Sequence, residues 1–411
     1  MIALGLACSS RMGRQGTGTG GAGGGAGVTG SAGTGGSAGA GGSAGTGDSA
    51  GAGGGAGMAG GAGRGGSGGS AGTTGSAGCG GAAGTGTDAG ADAPSGTDGP
   101  VAGTLVWRAV TIPGIELQGE VMSLWGTGTE LYVGTNDGTM LHRGASGAWT
   151  TTMVGRTVEW IWGSGPGDVY ASAHSKLYHS SGDDVWTEVP LPSAPTYVLG
   201  IWGASASEVF VAVGYDPNVT GAILHLRAGT WTAEPIEYLM SRVWGSSATD
   251  VWATGIRYGT LYWSKGDGTW VGKGAGNGSP PTALWGSGPG DVYLVVSPRN
   301  RTSGNAFVAH SQPDGSFALE HGIAIEELLA VWGSGPRDVY MAGRTLTDFF
   351  TTDKAVLYHS TGDGRWTALQ VPGQYGINRI DIIWGSSASD VYMGGYSSPN
   401  SAGVLLHGTP N

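Results

Sequence analysis

The chain has 411 residues with 19 Lys and Arg, 30 Asp and Glu, and two cysteines, Cys8 and Cys79. The acidic balance and the lack of a basic stripe argue against nucleic acid and anionic membrane surfaces as partners. Neither cysteine lies in the aromatic part of the chain, so we expect no disulfide or cysteine-based metal site there, and no apolar run reaches the ~18 residues of a membrane-spanning helix.

The first ten residues, MIALGLACSS, resemble the end of a bacterial lipoprotein signal peptide. Ala7 fits the small residue that precedes the acylated cysteine, although Leu6 stands one position too close to Cys8 for the usual motif. The resemblance implies that residues 1–12 are the remnant of a signal and anchor, with Cys8 as the lipid anchor. The protein is then expected at the bacterial cell envelope, lipid-anchored at the outer membrane or cell surface, or secreted. A chance cysteine is the alternative.

Residues 13–102 consist almost entirely of Gly, Ala, Ser and Thr. Such a segment has no large apolar side chains to offset chain entropy, so it is predicted to be a disordered linker. It resembles the Gly/Ala/Ser spacers of myxobacterial envelope proteins, and a Gly-rich coil of this length has an r.m.s. reach of roughly 50–55 Å. That reach suits a tether between a membrane and a folded domain.

Residues 103–411 carry all the Trp, Tyr and Phe, with 16 Lys and Arg against 26 Asp and Glu. An apolar residue followed by Trp-Gly, a short turn, an acid and a strand-like run recurs seven times. The repeated tryptophans are Trp125, Trp162, Trp202, Trp244, Trp285, Trp332 and Trp384, spaced 37 to 52 residues apart. A strand-rich period of this length predicts an all-β fold, a seven-bladed β-propeller of four-stranded antiparallel blades.

One repeat, Tyr197 to Pro235, illustrates the predicted blade. YVLGIWG, EVFVAVG, AILHL and WTAEPI read as four successive strands separated by turns. Three landmarks recur around this frame. The first is an acid that we expect to accept hydrogen bonds from turn amides, at Glu130, Asp168, Glu208, Asp250, Asp291, Asp338 and Asp390. The second, in the third strand, is His142, His179, His225, Trp263, His310, His359 or His407. The third opens the fourth strand and is Trp149, Trp186, Trp231, Trp270, Phe317 or Trp366.

The seventh repeat stops at LLHGTPN and lacks a fourth strand, whereas TLVWRAV, with Trp107, precedes the first repeat. We therefore predict that the N-terminal strand around Trp107 completes the last blade and closes the ring. Residues present in every blade are interpreted as scaffold. The repeated Trp-Gly pairs are expected to pack between blades, and the recurrent histidines, spread around the ring, are not expected to bind a metal.

The turns SSGDDVW, SKGDGTW, SQPDGSF and STGDGRW resemble the Asp-box turns of the sialidase-like (BNR) repeat families. Their aspartates, Asp183, Asp267, Asp314 and Asp363, stand one place late, and the sialidase Arg cluster and Arg-Ile-Pro motif have no counterpart. The resemblance therefore implies a propeller hairpin rather than sialidase chemistry. The whole repeat, WGSGPxDVY followed by LYHSxGDGxW, is similar to a repeat of uncharacterised myxobacterial propeller lipoproteins.

Two connections vary in length, from the second to the third strand and from the fourth strand to the next blade. Both fall on one face of a meander, and function tends to lie on loops held by a rigid scaffold. We predict that this variable face is the working face. Its candidate contact residues, in the loops 214–221, 297–305, 344–355 and 395–403, are Tyr215, Arg299, Arg301, Phe349, Phe350 and Tyr396. Phe349 and Phe350 could instead simply cover a blade edge.

Polar residues at the start of the inner strands predict a second zone, at the mouth of the central channel. These are Glu120, Glu159, Tyr197, Arg242, Glu327, Arg379 and Asp381. They could bind a polar ligand or could be a solvated channel lining.

No catalytic set is recognisable, and no cofactor or metal is expected. The leading hypothesis is a non-catalytic, monomeric binding module on a flexible tether, with a glycan or an envelope protein as ligand. The alternative is a glycan-active hydrolase or lyase that uses channel-mouth carboxylates such as Glu159 with Glu120, or the pair Glu326 and Glu327.

Overall fold

The computed structural model describes residues 105–114, 116–215, 220–256, 259–273, 279–297, 306–323, 326–345, 353–398 and 400–411. They form seven antiparallel sheets of four strands each, as the repeat predicts. Within these ranges no helix is long and apolar enough to cross a membrane. A 3₁₀ turn, Gly373–Tyr375, lies between blades 6 and 7.

The strands follow the chain order of the repeats, and the blades are numbered in that order. Blade 1 consists of β2 (Val121–Gly126), β3 (Leu131–Thr135), β4 (Thr139–Arg143) and β5 (Trp149–Met153). Blade 2 consists of β6 (Val158–Gly165), β7 (Asp168–Ala173), β8 (Lys176–Ser180) and β9 (Thr187–Glu188). Blade 3 consists of β10 (Tyr197–Ser205), β11 (Glu208–Gly214), β12 (Gly221–Arg227) and β13 (Thr230–Ile236). Blade 4 consists of β14 (Met240–Ser247), β15 (Asp250–Gly255), β16 (Leu261–Ser264) and β17 (Val271–Gly272).

The last three blades include the closing one. Blade 5 consists of β18 (Pro281–Gly288), β19 (Asp291–Val296), β20 (Ala306–Ser311) and β21 (Phe317–Ile323). Blade 6 consists of β22 (Glu326–Gly335), β23 (Asp338–Thr345), β24 (Ala355–Ser360) and β25 (Thr367–Leu369). Blade 7 consists of β26 (Arg379–Ser387), β27 (Asp390–Ser397), β28 (Ala402–Thr409) and the N-terminal β1 (Val106–Ala109).

The ring closes through β1, which pairs antiparallel with β28. Trp107 stands opposite Gly408 in this ladder, and its indole covers that glycine. The first strands of the blades contact one another in sequence from β2 round to β26 and back to β2, so they surround the central channel. The predicted closure by the strand around Trp107 is therefore confirmed.

The repeated Trp-Gly pair joins each blade to the next. The indole of every repeated Trp lies against the glycine of the following blade's pair, where an added Cβ would stand only 2.5–3.0 Å from the ring. The contacts are Trp125 on Gly163, Trp162 on Gly203, Trp202 on Gly245, Trp244 on Gly286, Trp285 on Gly333, Trp332 on Gly385 and Trp384 on Gly126. Inter-blade packing by these residues is confirmed, and it explains why glycine must follow tryptophan.

The repeated acid braces the second and third strands, but by other contacts than turn amides. In blade 2, Asp168 accepts a hydrogen bond from Ser164 Oγ at 2.5 Å and binds His179 Nε2 at 2.7 Å. In blade 4, the Trp263 indole replaces histidine and donates to Asp250 Oδ1 at 2.7 Å. A side-chain hydroxyl and an imidazole reach the carboxylate because the first hairpin brings Ser and Asp together and the strand register faces the acid toward the third strand. The histidines are thus structural partners of carboxylates.

The Asp-box-like turns are also held by a side-chain carboxylate. Asp183, Asp267, Asp314 and Asp363 each accept a hydrogen bond from the backbone N–H two residues later, at 2.9–3.1 Å. This is the side-chain turn that Asp forms in tight hairpins. These four residues fix the hairpin between the third and fourth strands, on the face opposite the variable connections.

Candidate functional site

A β-bulge recurs at the start of the innermost strand of all seven blades. The ladder between the first two strands skips the third residue before the repeated Trp, and a bulge re-aims the side chain that it leaves out of the ladder. The skipped residues are Met122, Glu159, Leu199, Ser241, Thr282, Leu329 and Asp381. Only two of them carry a carboxyl group, and both belong to the predicted channel mouth.

Around Asp381, charged side chains of blades 7 and 1 form a network. Arg379 Nε binds Asp381 Oδ1 at 2.8 Å, and its Nη2 contacts Glu120 of blade 1. Asn136 fixes Glu120 by donating to its Oε2 at 3.2 Å and by accepting from its backbone N–H at 3.0 Å. The Arg379 guanidinium also lies over the ring of Tyr396, 6.0 Å from the ring centre.

Blade 6 supplies a second set of ion pairs, and the charge of its Arg344 acts on Asp381. Arg344 Nε binds Glu327 Oε2 at 2.6 Å, and its Nη1 lies 3.2 Å from Asp353 Oδ2. Both arginines therefore bridge two carboxylates. We call the set the acidic sector, defined as Glu120, Glu327, Arg344, Asp353, Arg379 and Asp381. With four carboxylates and two guanidinium groups, it offers a surplus of acceptors at the mouth.

Burial raises the pKa of Asp381 above its ordinary value, against the lowering effect of the Arg379 and Arg344 charges. A buried ion pair contributes little net stability, since desolvation offsets much of the attraction. Five residues before the repeated Trp, where blades 1, 6 and 7 have Glu120, Glu327 and Arg379, blades 2 to 5 hold uncharged residues, for example Leu239 and Pro280. The network is therefore not required by the repeat.

Across the ring, blades 2, 3 and 4 supply a second group of side chains. Trp160 Nε1 donates to the Ile201 carbonyl of blade 3 at 2.8 Å, and the Arg242 guanidinium of blade 4 lies 4.7 Å from the Trp160 ring centre. Beside Trp160, Glu159 has a buried Oε2 without a hydrogen-bond partner. Burial raises the pKa of Glu159 to about 7, although the Arg242 charge lowers it in part.

His174 belongs to the same side of the mouth. It is the turn residue between β7 and β8, with φ of 59°, a left-handed conformation that is uncommon outside glycine. Its ring packs edge-on against Tyr197 at 5.5 Å, and its carbonyl accepts from the Val198 N–H at 2.7 Å. We call the set the aromatic sector, defined as Glu159, Trp160, His174, Tyr197 and Arg242.

The structure thus divides the seven predicted mouth residues between the two sectors. Sequence reasoning missed Trp160, His174, Arg344, Asp353 and Asn136. Two signals could have found some of them: His174 stands outside the third-strand position of the repeated histidines, and Trp160 breaks the small or aliphatic pattern two residues before the repeated Trp. Arg344 stands opposite Glu327 in the ladder between β22 and β23, whereas Asp353 lies in the connection after β23, and no periodicity reveals its contact with Arg344.

Of the six variable-face candidates, the structure describes Tyr215 and Tyr396. Tyr215 is half-buried, and its hydroxyl lies 2.6 Å from Ser193 Oγ, so its side chain is held against the preceding connection. Tyr396 stacks near Arg379 and so adjoins the acidic sector. Arg299, Arg301, Phe349, Phe350 and the anchor candidate Cys8 lie outside the described residues. Among the residues whose positions are given, no group of three or more His, Cys, Asp or Glu side chains is arranged to hold a metal ion.

Several solved propellers are similar in fold to this chain. Virginiamycin B lyase from Staphylococcus aureus, solved with quinupristin, superposes with a TM-score of 0.57 at 10% identity over 74% of this chain and 99% of its own. YCF48 bound to D1 peptide gives 0.54 at 15% identity, over 74% of this chain and 96% of its own. The WD40 propeller domain of Doa1 gives 0.55 at 11% identity, over 74% and 97%.

No protein-family model and no curated protein sequence matches this chain. At these identities the structural neighbours establish the propeller architecture alone, and they include a propeller bound to a peptide and a lyase. Architecture alone does not choose between them, because one fold hosts many functions. The choice depends on the side chains at the mouth.

Proposed function

We propose that the propeller is a non-catalytic binding module that holds a peptide segment of another protein across the channel mouth. The observation that carries this proposal is the acidic sector, which three adjacent blades build from residues that the repeat does not need. Charged side chains that the repeat does not require, and that adjacent blades bring together, are candidates for recognition. YCF48, which shares the fold, is a precedent for a propeller bound to a peptide.

The charge of the site favours a basic segment. The acidic sector has four carboxylates for two arginines, and residues 103–411 carry ten more acidic than basic residues. Complementary charge speeds encounter and selects partners more than it adds affinity. A Lys or Arg side chain could therefore use the surplus acceptors beside Glu120 and Glu327.

The test compares retention of a pool of N-acetylated random decapeptides on the immobilised full chain. We expect Lys- and Arg-rich peptides to be retained. The double variant Glu120→Gln, Glu327→Gln should weaken their binding about tenfold, a loss of ~1.4 kcal/mol in binding free energy. Glu237→Gln, an exposed carboxylate at the start of blade 4, is the matched control and should bind as the parent does. A pool that is not retained, or an unaffected double variant, would overturn the proposal.

One observation favours a second candidate, a glycan-active hydrolase or lyase. A carboxyl with a pKa near 7, as at Glu159, suits general acid–base work at neutral pH. Its suggested partner Glu120 is already occupied by Arg379 and Asn136, which weakens the paired-carboxylate scheme. Product release from a polysaccharide panel that disappears with Glu159→Gln would favour this candidate over a binding module.

We further propose that residues 13–102 tether the module to the cell envelope through a lipid on Cys8. The support is the sequence alone, namely the small residue before Cys8 and the long Gly/Ala/Ser segment after it. Metabolic labelling with an alkyne fatty acid tests the anchor: the full chain should be labelled and Cys8→Ser should not. Equal labelling of the two would refute it.

A further inference from the structure

The aromatic sector contains an arginine stacked on a tryptophan from two blades away. Trp160 of blade 2 and Arg242 of blade 4 occupy the same position in the repeat, two residues before the repeated Trp. The other blades have small or aliphatic residues there: Ser123, Gly200, Ala283, Ala330 and Ile382. Blades 2 and 4 therefore depart from the repeat at the same position, and the two departing side chains contact each other.

Gly200 of the intervening blade makes this contact possible. A Cβ at Gly200 would stand 3.1 Å from both Arg242 Cα and the Ser241 carbonyl oxygen, so blade 3 has no side chain at this level. Trp160 crosses the gap and is held in place by its 2.8 Å hydrogen bond to the Ile201 carbonyl. The indole is thus a fixed platform on which the guanidinium lies.

Two polar groups accompany the platform. The Arg242 guanidinium donates through Nη1 to the Ser241 carbonyl at 2.9 Å, which orients its plane. Glu159, out of the ladder at its bulge, holds a buried Oε2 that has no partner. A planar guanidinium matches the fork of a carboxylate, and a protonated carboxyl beside it can donate to the same group.

We propose that Glu159, Trp160 and Arg242 form a subsite for the C-terminal carboxylate of a bound peptide. The inference rests on the proposed peptide-binding function. The basic part of the same peptide would then lie at the acidic sector, across the mouth from this subsite. A ligand carboxylate would pair with the Arg242 guanidinium and accept a hydrogen bond from protonated Glu159, which gives the buried Glu159 Oε2 a partner. An amidated C-terminus would lack the negative charge and would gain neither contact fully.

The test uses the same decapeptide pool on the immobilised full chain, synthesised with free and with amidated C-termini. We expect the free-carboxylate pool to bind about tenfold more tightly, equal to ~1.4 kcal/mol. Arg242→Gln should abolish the difference, and Arg242→Lys should restore part of it, since charge returns without the planar fork. Arg156→Gln removes an exposed charge near blade 2 and is the matched control, expected to keep the full preference.

The outcomes separate the two proposals. If both pools are retained equally, and the double variant Glu120→Gln, Glu327→Gln still weakens that retention, the carboxylate subsite is overturned and the proposed binding module stands. Retention of neither pool overturns both. A preference for free carboxylate that survives Arg242→Gln also overturns the subsite. Retention of polygalacturonate that depends on Arg242, without retention of peptides, would reassign the carboxylate to an acidic glycan and refute the peptide.

A spectroscopic readout guards against a merely structural effect of Arg242. N-acetyl-glycylglycine is a minimal peptide carboxylate, and the indole N–H resonance of Trp160, identified by its loss in Trp160→Phe, reports on the platform. The acid form should shift this resonance in a saturable way and its amide should not. Equal shifts with both forms would contradict the subsite, whatever the stability of the variants.

Discussion

The indole of Trp162 lies so close to Gly203 of the next blade that a Cβ built on Gly203 would stand 2.5 Å from Trp162 Cη2. The same contact recurs at every blade boundary, including the one between Trp384 and Gly126 that closes the ring. A closed ring propagates local strain, because displacing one indole moves the inner strand on which it sits.

Gly203→Ala should therefore destabilise the propeller. Overpacking a well-filled contact costs about 1–3 kcal/mol, and the neighbouring atoms here include backbone as well as the ring. Urea unfolding of the full chain measures the loss. Gly165→Ala is the matched control, since an added Cβ there meets nothing within 4 Å, and it should leave the midpoint unchanged. Equal midpoints for both variants would refute the packing argument.

Trp107→Ala tests the closure by β1. Trp107 is buried and covers Gly408 of β28, so truncation leaves a cavity and weakens the pairing of the N-terminal strand with the last blade. Replacement of a buried Trp by Ala typically costs about 3–5 kcal/mol. Arg108→Ala, on the exposed side of the same strand, should change the free energy of unfolding by less than about 0.5 kcal/mol. Comparable losses would show that the strand contributes backbone pairing alone.

The charge state of Glu159 gives the stability a pH dependence. Burial raises the pKa of Glu159 to about 7 from its ordinary 4.5, so the folded state binds the proton more tightly than the unfolded state between these values. The free energy of unfolding should fall as pH rises through this window, by about 3 kcal/mol in total. Glu159→Gln should remove that fall, so that the variant is more stable than the parent at pH 8 and similar at pH 4.5. Exposed Glu237→Gln should keep the parent's profile.

His310 predicts a second window, at higher pH. Burial lowers the pKa of His310, but the hydrogen bonds and charges of Asp291 and Glu320 outweigh burial and raise it to about 9. Its contribution is present in full below the unfolded value of about 6.5 and is lost as pH rises through 9. His310→Gln should therefore lower the melting temperature more at pH 6 than at pH 9.5. A loss that does not change with pH would show that His310 acts by packing on Tyr293 alone.

Much of the candidate site could be located from sequence, but its partners could not. Glu120, Arg379 and Asp381 stand out as charged residues at the start of inner strands, where most other blades have uncharged ones. Arg344 stands opposite Glu327 in the ladder between β22 and β23. Asp353 comes from the connection after β23, whose length varies, so no register assigns it to Arg344. Glu159 was expected to pair with Glu120, yet Glu120 belongs to Arg379 and Asn136, because blade 7 lies beside blade 1 only after the ring has closed.

The sequence by itself determined the number of blades, the strand order within each and the closing role of Trp107. These follow from local periodicity and from counting strands, since every blade must bury the same faces. Tertiary structure alone decided that Trp160 meets Arg242 across Gly200, and that the mouth divides into an acidic and an aromatic sector. Such contacts join residues from different blades at the same depth in the ring. A repeat pattern specifies the residues that all blades share, and it does not specify which of the residues that differ between blades come into contact.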